Sequence, residues 1–422
     1  MTTKSSPFWK SFGPGLLWAA AAIGVSHLVQ STRAGAMAGF GLVGVVLLAN
    51  ILKYPFFEYG PRYAAATGES LVEGYLRIGR WALWLYILIT LSTGIVIQTA
   101  IVLLTAFLIK YAFGLQLAMP LLAAIVCLMS GILLFVGRFR TLDLVTKLIL
   151  ALLGISTLVA AAVTLPRADF STLALLPDIG GETGVQLAFV LALAGWMPSA
   201  IDIAVWSSLW TLAKNEASGG RASLRDALLD FRIGYVGTVI MSFAFLTLGA
   251  TVMYHSGQTF SEQGGKFAAE LVELYTSTLG AWTRPIVITA VLTTMLSTAV
   301  TVIDGFPRAI DRSIRVLSGG RFVADGKGDM GPAYWVGLVS LAIGTVIVIA
   351  LFAGTLAAMI DFATIVSFLV APALGYLNLR AVTSPEVAPE DRPGKGLIAL
   401  SWTGLVLLGG FAVVYVVSLL GK

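Results

Sequence analysis

Reading the chain for apolar runs bounded by charged or turn-forming residues gives eleven segments, near 13–36, 40–60, 82–109, 117–136, 142–165, 184–212, 232–254, 284–305, 333–353, 357–379 and 397–420. Each matches the roughly 20 helical residues that cross a ~30 Å hydrocarbon layer. Lipid offers the backbone no hydrogen-bond partners, so the pattern predicts an all-α integral membrane protein in a lipid bilayer. No connection is long enough for a soluble domain, which leaves one polytopic membrane domain over 1–422. Lys4 and Lys10 ahead of the first run imitate a signal sequence. The run nevertheless continues past Gly35 and a second follows at once, so it reads as a retained helix. Between His255 and Trp282 the residues Phe260, Phe267, Leu271 and Leu274 predict a short helix lying on the protein or at the interface. Lys214–Arg232 reads as a solvated connector, and Thr383–Lys395, with three prolines, as a linker before the last span.

Composition agrees with this pattern: 58% of residues are hydrophobic and 12% charged, far more apolar surface than a soluble core could bury. The placement of the basic residues carries more than the net charge of +5. Of the 27 Lys and Arg residues, twenty fall on one side of the alternating connections and five on the other, while Arg33 and Lys53 lie inside spans. That bias puts the N-terminus in the cytoplasm and the C-terminus outside, in what is expected to be a bacterial inner membrane. It also accounts for the basicity without a nucleic-acid partner. Glu58, Asp143 and Asp304, near the cytoplasmic ends of spans, are expected to pair with arginines there. Cys127 is the only cysteine, which excludes an internal disulfide and a Cys-based metal cluster.

Two spans break their own pattern. Halfway along the first, apolar residues give way to Gly24, Ser26, His27, Gln30, Ser31 and Arg33. A polar cluster at that depth is costly unless it faces a protein-lined or watery cavity. In the sixth, Leu191-Ala192-Leu193-Ala194-Gly195-Trp196-Met197-Pro198-Ser199-Ala200-Ile201-Asp202 carries a proline near mid-membrane, where it removes a backbone donor and unwinds the helix before it. Ser199 and Asp202 then have the spacing of a capping box for a new half-helix. Breaks five spans apart mark two five-helix repeats of opposite topology, about 13–165 and 184–380, with an added helix at 397–420 and the substrate between the breaks. The candidate substrate-binding residues are Gly24, Ser26, His27, Gln30, Trp196, Met197, Ser199 and Asp202. His27 is either a proton-coupling group or a helix contact. Arg33 is either a gate or a snorkelling cation. No nucleophile and base stand together, so an enzyme is not expected, and no cofactor is implied.

Gly13-Pro14-Gly15 opening the first span, Arg33-Ala34-Gly35-Ala36 closing it, and Met197-Pro198 in the sixth resemble the Nramp family of proton-coupled divalent-metal transporters. The resemblance covers roughly the whole chain. It implies the LeuT-type fold, secondary active transport by alternating access, and coupling to protons. Where the family has Asp-Pro-Gly-Asn, this chain has Gly24-Val25-Ser26-His27, and the histidines that follow the family's Met-Pro are Ser199 and Ala204. With those ligands gone, no metal site is expected. Two half-helix N-termini offer amides and partial positive charge to an anion. A small inorganic anion, bicarbonate foremost, is therefore the expected cargo. The alternative is a divalent metal (manganese, iron or magnesium), for which Met197 and Asp202 would be the ligands.

Overall fold

The structure is a computed structural model that describes residues 13–136, 139–179, 185–319, 331–352 and 354–420, with side chains described outside 139–150 and at positions other than 255. Lys4, Lys10 and the side chain of Asp143 therefore lie outside what is described. Among the described residues, eleven helical passages follow one another in the order expected. The first is α1 (Pro14–Ala22), a break, a π-helical turn (Ser26–Ser31) and α2 (Thr32–Ala38). Next come α3 (Val43–Thr67), a short α4 (Leu71–Ile78), α5 (Arg80–Phe113), α6 (Met119–Phe135) and α7 (Phe139–Thr164). The sixth passage is split into α8 (Leu187–Gly195) and α9 (Ile203–Ser218). There follow α10 (Leu224–Leu248), the short α11 (Gly264–Leu279), α12 (Arg284–Leu317), α13 (Pro332–Leu351), α14 (Leu356–Val382) and α15 (Lys395–Leu420). Among the described residues, six helical segments are each long and apolar enough to cross a bilayer alone: Arg80–Phe113, Leu224–Met253, Ala281–Leu317, Pro332–Leu351, Leu356–Val382 and Lys395–Leu420.

Several helices outrun their apolar runs, because charge does not end a helix when it is paired along the surface. Asp304–Arg308 and Asp311–Arg315, four residues apart, carry α12 three turns beyond residue 305. The expected connector Lys214–Arg232 is mostly helix. Here α9 ends on Gly219 and α10 starts after Ser223, whose hydroxyl accepts from the Asp226 amide. The short α4 escapes a search for spans because it has only eight residues, but Ser70 and Glu73 form a genuine capping box. Glu73 is also bonded to Arg312, which ties α4 to α12. As expected, α11 packs on the protein, burying Phe267, Leu271 and Leu274.

Each broken span crosses the second span of the other repeat at backbone contact. A Cβ at Gly15 would lie 2.1 Å from the Asp230 carbonyl oxygen, and one at Gly249 would lie 2.1 Å from that of Thr32. Only hydrogen fits at these crossings of the first span with α10 and its π-helical extension. On the other diagonal, Gly60 of α3 meets the Ala204 backbone of α9 in the same way. The pairing of first with seventh and sixth with second is what two inverted repeats require. Between them α5 and α12 pack along each other and wall the space at the breaks.

Candidate functional site

At the first break α1 stops at Ala22, whose carbonyl loses its helical donor. Ser26 replaces it: its hydroxyl lies 2.6 Å from Ala22 O and 2.7 Å from His27 Nδ1. The His27 Nε2–H donates to the Thr238 carbonyl at 3.0 Å, and the ring meets Phe245 edge-on. His27 is thus fully buried against α10, with both ring nitrogens engaged. It does not line the cavity between the breaks.

That cavity is small, about 40 Å³, and is lined by Ser26, Ser199, Asp202 and Thr298 among apolar side chains and the rings of Trp196 and Trp206. One water needs roughly 10–15 Å³ measured in this way, so the space holds a few atoms and no organic substrate. Asp202 is 2% exposed. Its Oδ1 accepts a long bond from Thr93 Oγ1 at 3.4 Å, and its Oδ2 has no partner. The capping box expected at Ser199 and Asp202 does not form: α9 starts at Ile203, and the Asp202 side chain makes no cap bond. The carboxylate is left for the cavity instead.

This arrangement does not support the expected anion. Three amides near the openings of the second halves are already used, those of His27 and Leu28 by Gly24 O and that of Ile203 by Ala200 O. At the start of α9 stands a carboxylate, which repels an anion from the partial positive charge there. The Met197 thioether also turns from the cavity, within 3.8 Å of the Ser31 hydroxyl. Trp196 lines the cavity while donating Nε1–H to Ser367 Oγ at 2.8 Å. Gly24 sits beside Thr298, where a Cβ would lie 3.0 Å from the hydroxyl. Among the described residues no three of His, Cys, Asp and Glu come together as a metal cluster.

Arg33 and Gln30 form a separate assembly on the side of the cavity away from the N-terminus. Arg33 grips Asp361 of α14 through two bonds of 2.6 and 3.1 Å and lies 4.9 Å over the Phe189 ring of α8. Gln30 joins Arg33, Asp361 and Thr364 at 3.0–3.2 Å. Arg33 therefore does not snorkel, and Gln30 belongs to this lock. The bidentate pair thus joins the first and tenth spans, and the ring contact adds the sixth. With Cys127→Ala and Ser199→Cys as background, Asp361→Asn is expected to speed maleimide labelling at position 199 from that side by about tenfold, one charge-assisted hydrogen bond's worth. Unchanged labelling would mean that the pair closes nothing. At the opposite end, the Asp230 carboxylate accepts from the Gly13 and Gly15 amides at 3.1 and 2.6 Å, capping α1.

Sequence reasoning singled out Asp202, Ser26, Ser199 and Trp196, which the fold brings together. It missed Thr298, Thr93 and Trp206, which carry no signal beyond a polar atom in an apolar run. It noted Lys53 as a charge inside a span but not the carbonyls that the side chain meets.

Two half-helices meeting around a small buried cavity, within inverted repeats, are the arrangement of broken-helix carriers. The natural resistance-associated macrophage protein-like (Nramp) profile matches residues 15–418, so the chain belongs to the Nramp family. A Pasteurella multocida protein, described as uncharacterized, is 35% identical over 97% of this chain and 93% of its own length. Among solved structures, a mutant of the Eremococcus coleocola manganese transporter aligns with a TM-score of 0.72 at 14% identity, covering 98% of this chain and 89% of its own. MhsT in complex with L-phenylalanine aligns with a TM-score of 0.59 at 11% identity, over 96% of this chain and 98% of its own. At such identities the solved structures establish the fold, which is LeuT-type. The chain is a membrane transporter and not an enzyme.

Proposed function

We propose that this chain is a secondary carrier for a small hard cation, a divalent ion such as magnesium or manganese, with Asp202 as its anionic ligand. The observation that carries this is the unpartnered Asp202 Oδ2, nine-tenths or more buried at the wall of a cavity of about 40 Å³. An unpaired carboxylate oxygen in that setting asks for a cation. The other donors at the wall are the hydroxyls of Ser26, Ser199 and Thr298. Oxygen donors around one carboxylate, with room for retained water, suit magnesium and manganese and leave out the sulfur and imidazole that softer metals prefer. The structural relative described as a manganese transporter supports the same cargo class.

The N-terminal side is the cytoplasm on this reading, from the twenty-to-five bias of Lys and Arg, and the membrane is a bacterial inner membrane. Coupling runs through Asp202, where a proton and the cargo compete for one carboxylate, with His27 holding the first break in shape. Proteoliposomes given manganese, magnesium or labelled bicarbonate test the cargo. Saturable uptake of a divalent ion, inhibited by the other divalent ion and weakened as pH falls, is the expected result. Bicarbonate uptake without divalent uptake would reverse it.

A further inference from the structure

The break in the sixth span contains a second arrangement that the cavity does not use. Lys53 sits in the middle of α3 at 0% exposure, and its ammonium donates to three backbone carbonyls: Ser199 O at 2.7 Å, Gly195 O at 2.9 Å and Ala194 O at 3.1 Å. The Phe57 ring lies 5.7 Å from Nζ. Lys53 makes no ion pair among the described residues. These oxygens are available for a reason written in the sequence. In a continuous helix Ala194 O would accept from the amide of residue 198, which is proline and has none. In place of that bond it accepts from the backbone amides of Trp196 and, at 3.4 Å, Met197. Gly195 ends α8, so its carbonyl also lies in the terminal turn, where partial negative charge collects.

We infer that the Lys53 ammonium is a built-in cation filling a three-carbonyl site at the break of the sixth span, the place a free monovalent cation would otherwise take. The stoichiometry fits, since an ammonium has three donors and no acceptor and meets three acceptors here. A carbonyl cage at a helix C-terminus is also what a dehydrated monovalent ion asks for. Because the charge is tethered, the break is held without an ion from solution. The carrier then has no need of sodium or potassium as a structural partner.

Removing the side chain should turn the tethered site into a binding site. Purified Lys53→Ala is expected to melt below wild type and to regain stability saturably with ethylammonium or potassium chloride, but not with the bulkier N-methylglucamine chloride. Lys53→Met, which fills the path of the stem without a charge, should gain nothing from either salt, and neither should wild type. Equal salt responses in all three proteins, or Lys53→Ala melting like wild type, would overturn the inference. Should Lys53→Ala fail to fold, wild-type uptake decides. It should be unchanged when sodium and potassium are replaced by N-methylglucamine, and an absolute requirement for either ion would overturn the idea. Only this last arm rests on the proposed transport of a divalent ion. A wild type that carries no divalent ion sinks that reading and leaves the melting test intact.

Discussion

Asp202→Asn is expected to reduce divalent-ion uptake about a thousandfold while leaving the protein folded. The estimate is electrostatic and conservative, counting one of the ion's two charges: two unit charges about 4 Å apart, in an effective dielectric near 20, interact by about 4 kcal/mol, and roughly 1.4 kcal/mol is tenfold in affinity. Asparagine keeps the shape and the bond from Thr93 but loses the charge, so a purely structural role for Asp202 predicts little change. The pH dependence adds a second readout. If cargo and proton compete for this carboxylate, the wild-type half-saturation concentration rises as pH falls, and any residual uptake by Asp202→Asn shows no such trend. A variant that retains wild-type uptake would move the ligand elsewhere. Folding is checked by its melting curve and elution profile.

A comparable effect on stability is expected at the N-terminal side. Glu58 is fully buried, 2.7 Å from Arg62 and 3.2 Å from Arg232, and is also bonded to the Tyr54 hydroxyl. Arg62 in turn donates to the Asp391 carbonyl at 2.7 Å, so one carboxylate ties α3, α10 and the segment before α15. Glu58→Leu leaves the 7%-exposed Arg62 without its counter-ion, which costs about 3–5 kcal/mol for a buried pair. Arg232 is half exposed and contributes little of this. The double variant Glu58→Leu/Arg62→Leu should recover part of the loss, because a packed apolar pair removes the unpaired charge. Reversible unfolding in mixed micelles measures both. A single variant as stable as wild type, or a double variant worse than the single, would contradict the account.

The two breaks were legible because each is written in local chemistry: a polar cluster in an apolar run, and a proline with no amide to give. What those residues would do was less legible, because it depends on directions that spacing does not carry. His27 and Gln30 share the first break with Ser26, yet only Ser26 faces the cavity; the others turn to Thr238 of α10 and Asp361 of α14. Asp202 has capping-box spacing from Ser199, but the chain re-enters a helix later, and the carboxylate is left at the cavity wall. Lys53 was visible as an intramembrane charge. Its three carbonyl partners lie more than 140 positions away, beyond any local pattern.

The two amide bonds from Gly13 and Gly15 to Asp230 bear on how the carrier can divide into moving parts. With the Gly15 crossing directly beneath them, they fasten α1 to α10 side by side. Half of the first span and the start of the seventh therefore form one lever. Beyond them the helical ladder of the first span is interrupted at Ile23–Val25, while α10 runs on unbroken. Opening toward the N-terminal side must swing both helices together or first tear the carboxylate from the end of α1.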